Sequence, residues 1–127
     1  MSLSKAEKRN QIHTREIKCL GFKREDGFWD IEGYIIDTKT YSFENVDRNG
    51  VSSGEPIHHM EIRITVDDEL MIHNAEATTI AAPYSVCPRI TPAFKNLKGT
   101  TRSACINCTV CVRVFICVFH QFTVLFD

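Results

Sequence analysis

Met60-Glu61-Ile62-Arg63-Ile64-Thr65-Val66 alternates apolar and polar residues without a break. Met60, Ile62, Ile64 and Val66 fall on one side; Glu61, Arg63 and Thr65 fall on the other. That is the period of a half-buried strand. Asp67-Asp68-Glu69 then supplies turn chemistry, and Leu70–Ala77 reads as the returning partner. The segment therefore predicts an antiparallel hairpin. An isolated hairpin is marginal in water, so further strands or a helix must join it.

Upstream, Ile17–Lys23 and Phe28–Asp37 read as a second hairpin, with Glu25-Asp26-Gly27 as its turn and Gly27 free to take positive φ. Trp29, Ile31 and Ile35 alternate with Asp30, Glu32 and Tyr34, which puts the first set on the core side. Gly33 on that side marks a bulge or a close approach. Trp29, Ile31, Ile62 and Ile64 are accordingly expected to be buried together. Between the hairpins, Thr38–Gly54 reads as a long loop with some fixed structure around Tyr41 and Phe43. Downstream, Thr91 suits the cap of a short helix, with Pro92 at its first position and Gly99 past its end. Ser4-Lys5-Ala6-Glu7 fits a capping box, but no apolar face follows, so residues 1–11 read as a flexible lead-in. The expected class is α+β: antiparallel β-hairpins forming a sheet, one short helix, and a β-prone C-terminal tail.

At 127 residues with a net charge of −1, the chain fits one domain and shows no basic stripe for nucleic acid. Met1–Gln11 holds no apolar stretch of the secretory kind, which points to the cytoplasm and reduced cysteines. Composition changes at Gly99. Every Gly, Pro, Lys and Glu lies in residues 1–99, whereas 100–127 carries only Arg102, Arg113 and Asp127 as charges and four of the six cysteines. Cys105, Cys108, Cys111 and Cys117 give C-x₂-C-x₂-C-x₅-C, whose first spacings suit an iron–sulfur cluster. Alternation along a strand would turn Cys105 and Cys111 away from Cys108, so the pattern does not define a site. Val110–Phe126 nears the length of a membrane span but is interrupted by Arg113, His120, Gln121 and Thr123. No membrane role is expected, and the tail is expected to add nothing to the fold of residues 12–99.

Six residues carry the chemistry worth following. Cys87, before Pro88 and between the second hairpin and the helix, suits a metal ligand or nucleophile; its structural alternative is a small buried residue. His58, after Glu55 and before a strand, suits a metal ligand or general base, against a satisfied surface histidine. His13 carries the same alternatives. Arg15 could hold a carboxylate or phosphate, or form an ordinary ion pair. Asp30 and Glu32 share one strand face and could share a cation or proton, or be a solvated face.

Several stretches together resemble a bacterial family catalogued as domain of unknown function 2889. They are Ile12-His13-Thr14-Arg15, Asp26-Gly27-Phe28-Trp29-Asp30-Ile31-Glu32-Gly33, Asp37-Thr38-Lys39-Thr40-Tyr41, Gly54-Glu55-Pro56-Ile57-His58 with Met60, Asn74-Ala75-Glu76-Ala77, Ala81-Ala82-Pro83-Tyr84, Cys87-Pro88 and Ile90-Thr91-Pro92-Ala93-Phe94. The resemblance spans about residues 12–99. It implies that a helical segment and a Gly-Cys-Thr-His-Leu motif should follow. Asn107-Cys108-Thr109 echoes that motif, but Val110 stands where the His belongs. The ending therefore reads as a shifted frame or an altered gene end. Three functions are compatible with these residues. One is metal or cofactor handling through Cys87 and His58. The second is a small enzyme, or an enzyme accessory, acting on a carboxylated metabolite through His13, Arg15 and Glu32. The third is a binding module without chemistry.

Overall fold

The computed structural model describes residues 2–100. They form one four-stranded antiparallel sheet in the order β1-β2-β3-β4, so each strand pairs only with its sequence neighbours. β1 is His13–Lys23, β2 Trp29–Lys39, β3 His58–Val66 and β4 Ile72–Ala81. A 3₁₀ helix, Cys87–Leu97, follows. The described fold is thus sheet-dominated, and α+β holds only in the loose sense that one short helical piece accompanies the sheet. Among the described residues no helix is long and apolar enough to cross a membrane.

Both hairpins stand where the alternation placed them. Gly27 takes φ 91° in the first turn. In the second, Asp67 N–H donates to Met71 O at 3.2 Å, and the Asp67 carboxylate accepts from the N–H groups of Glu69 and Met71. Gly33 is a close approach: a Cβ added there would lie 3.1 Å from Ile62 Cγ2. The helix starts earlier than expected. Thr91 is inside it, and its hydroxyl meets that of Thr79 at 3.1 Å instead of capping. Pro88, not Pro92, occupies the first turn; Pro92 is internal and lacks the N–H of a regular α-ladder, consistent with the tighter 3₁₀ form. Gly99 does fall past the end, with φ 81°.

The expected common burial of Trp29, Ile31, Ile62 and Ile64 needs correction. Parity puts all four on one face, since Trp29 pairs with Val66 and Ile31 with Ile64. The 3₁₀ helix, however, packs on the β4 side of that face. Val66, Ile72, Ala75, Phe94 and Leu97 are buried there, with Ile62 and Ile64 partly buried against them. Trp29 and Ile31 lie beyond that cover and are 40% and 44% exposed. Trp29 instead donates its indole N–H to Asp68 Oδ1 at 3.0 Å.

The chain boundary at Gly99 also shifts. Gly99 N–H donates to Ile72 O at 2.7 Å, and Ile72 N–H to Thr100 O at 2.9 Å, so Thr100 belongs to the fold. The expectations for residues 101–127, including the four-cysteine pattern, the membrane span and the shifted frame, lie outside the described residues.

Candidate functional site

The loop between the hairpins runs from Thr40 to Ile57 and is ordered by its own contacts. Phe43 and Val51 form an isolated antiparallel bridge, and Asn49 and Gly50 take positive φ to turn the chain between them. Arg48 donates to Pro56 O at 2.8 Å and pairs with Glu55. Tyr41 and Phe43 meet edge to face at 6.3 Å, with Lys39 Nζ over both rings. The loop is tied across to the chain after β4: Asn45 Nδ2 donates to Pro83 O, and Ser85 N–H to Asp47. It returns to the sheet through Gly54 N–H to Lys39 O and Ile57 N–H to Asp37 O.

At this end of the sheet three strands bring polar residues onto the otherwise apolar face. Arg15 pairs with Asp37, and Asp37 with His58, in consecutive registers. The Asp37 side chain has no exposure, that of Arg15 10% and that of His58 5%. Arg15 grips the carboxylate with two bonds, Nε to Oδ1 at 2.6 Å and Nη2 to Oδ2 at 2.5 Å. This is the fork geometry that guanidinium and carboxylate share. His58 Nδ1 stands 2.7 Å from Asp37 Oδ2, and His13 Nε2 3.6 Å from Oδ1.

Burial by itself would push the Asp37 carboxyl up; the hydrogen bonds from Arg15 and His58, with their charges, outweigh it and hold the group well below the usual carboxylate range. An ionised carboxylate only accepts, so His58 Nδ1 must carry the proton it shares with Asp37. With Nδ1 engaged by Asp37, the remaining ring nitrogen is Nε2. That atom is buried and has no hydrogen-bond partner among the described residues, and the same is true of His13 Nε2.

The structure therefore brings His13, Arg15 and His58 together, and it does so around Asp37, which was not among the six candidates. Asp37 had a signal: it shares the parity of Trp29, Ile31 and Ile35, which puts a carboxylate on the buried face. Cys87 is not in this group. It opens the 3₁₀ helix, half-buried, its N–H bonded to Tyr84 O. Among the described residues no group of three or more His, Cys, Asp or Glu is arranged to hold a metal. Asp30 and Glu32 lie on the opposite face, each with its own partners. Thr65 and Arg24 donate to Asp30. Tyr34 and Arg63 donate to Glu32 and, in that order, lower its pKa. They are a cross-strand ion-pair ladder on a part-exposed face.

These elements belong to a recognised domain. The family model described as Protein of unknown function (DUF2889) matches residues 13–114, and the chain belongs to that family. The match opens on the first residue of β1 and includes all four polar residues of the buried cluster. It also continues past Gly99, beyond the span the sequence motifs marked. No curated protein and no solved structure matches the chain.

Proposed function

We propose that this domain is a small enzyme, or an enzyme accessory, that moves a proton at His58 Nε2 on a carboxylated metabolite. The observation that carries this reading is the Asp37–His58 contact: 2.7 Å at Nδ1, with Nε2 buried and without a hydrogen-bond partner among the described residues. A carboxylate bonded to one imidazole nitrogen fixes the tautomer and raises the basicity of the other, which suits a general base. The preference for an anion rests on the cations gathered at this end. Lys39 pairs with His13 in register, and Arg48 bonds the carbonyls of Pro56 and Ile57 beside His58. Arg15 is a positioning residue, because its fork is engaged by Asp37. Glu32 has no part in the reading, being on the other face. Metal handling through Cys87 and His58 has weaker support, since the described residues offer no third donor beside them.

Long-range ¹H–¹⁵N correlation spectra of the full chain, labelled at histidine, test the proposal. His58 should show a protonated Nδ1, a state lost in Asp37→Asn. Millimolar succinate or pyruvate should shift its Nε2 resonance. A His58 protonated at Nε2, or one blind to both acids, would remove the reading.

A further inference from the structure

Among the described residues, β1 is the open edge of the sheet. The other edge strand, β4, has register irregularities beside His59/Met60 and Thr65/Val66, and its first residue is paired by Gly99 and Thr100. Among the described residues β1 has neither protection. Its register with β2 is unbroken over eleven residues, and it contains no proline. Long, flat, unprotected edges are templates for another strand.

The ladder shows which groups are on offer. Thr40 N–H donates to Ile12 O, and Arg24 N–H to Phe28 O, so these are hydrogen-bonded pairs at the two ends of the β1–β2 register. Bonded pairs recur at every second residue. The even-numbered residues of β1 therefore turn their backbone groups toward β2, and the odd-numbered ones, Ile17, Cys19 and Gly21 among them, turn theirs outward. These three residues are exposed, Ile17 by 64%.

We propose that β1 pairs antiparallel with β1 of a second copy of this chain, across a two-fold axis at Ile17. Among adjacent centres, the charge pattern selects this one. Outward-facing groups meet only when an odd residue opposes an odd residue, which limits the candidate axes to whole-residue positions. An axis at Glu16 or at Lys18 puts that residue opposite itself, and like charges directly opposed are destabilising. An axis at Ile17 puts Glu16 of each copy opposite Lys18 of the other, twice, with Ile17 on Ile17 between them. Both Glu16 and Lys18 are exposed, and neither has an ion pair among the described residues. The apolar half-faces around Ile17, Ile31 and Ile35 then adjoin in a continuous eight-stranded sheet. Such a symmetric contact closes on itself at two copies.

Sedimentation of the full chain under reducing conditions, over a range of concentrations, tests this. The wild type should form dimers. Ile17→Lys should sediment as a monomer with an unchanged far-ultraviolet spectrum, since the site is exposed in the single chain. Glu16→Lys places lysines opposite each other twice and should weaken the dimer roughly tenfold. Glu16→Lys with Lys18→Glu should restore it. A monomeric wild type, a dimer that survives Ile17→Lys, or a Glu16→Lys defect that the second exchange does not repair would each overturn the proposal. None of these outcomes depends on the chemistry at His58.

Discussion

Asp37 is the residue on which most of this structure turns. Its carboxylate takes Arg15 and His58, while its backbone carbonyl takes Ile57 N–H. Replacing it with Asn keeps the shape and removes the charge, leaving the Arg15 guanidinium nearly buried without its counter-ion. Asp37→Asn should therefore cost about 3–5 kcal/mol in urea unfolding, as broken buried pairs do. The sign of the pH effect follows from the lowered carboxyl. In the unfolded chain an Asp titrates near about 3.9, above its value in the fold. The unfolded chain thus binds the proton first in acid. The contribution of Asp37 is complete above about pH 5 and is lost as pH falls toward the folded value. Unfolding midpoints measured across that acid range should fall more steeply for the wild type than for Asp37→Asn. Equal slopes would show that the pair contributes nothing through its charge. Arg15→Lys keeps a cation but loses the two-bond grip, so it should fall between the two proteins.

At the scale of elements, the unequal cover of the sheet separates residues that look alike in sequence. Phe94 is 5% exposed in the helix–sheet core, so Phe94→Ala should cost about 3–5 kcal/mol. Ile31→Ala should cost less than about 1 kcal/mol, because its side chain already meets solvent. Chemical denaturation of both variants separates them, and a larger effect at Ile31 would put the core on the wrong half of the face. The hairpins were legible because alternation and turn residues are local signals. Which half of the apolar face is buried was not, because it depends on where the helix after Pro83 lands. The helix start was misplaced since Thr91-Pro92 has the right chemistry, and Pro88 four residues earlier has it too. Within the site, His58, His13 and Arg15 were legible as residue types. Their convergence was not, because it needs the register of three strands, and the key to that register is the parity of Asp37.

For the whole molecule, the simple strand order has a kinetic meaning. β1 and β2 are joined by a short turn, as are β3 and β4, so each hairpin closes locally and soon. Joining them requires the ends of Thr40–Ile57 to meet, and loop closure is an entropic cost that contacts repay only once it is complete. The contacts waiting at that junction are Ile57 N–H to Asp37 O and the Asp37–His58 bond. The buried cluster is thus also the clasp that joins two preformed halves. If the junction forms in the transition state, Asp37→Asn should lower the refolding rate more than it raises the unfolding rate. Phe94→Ala, acting after the halves meet, should do the reverse. Stopped-flow refolding and unfolding of the two variants would read this directly. A domain built in this way could not exchange the residues of this buried cluster without also resetting the pace at which it assembles.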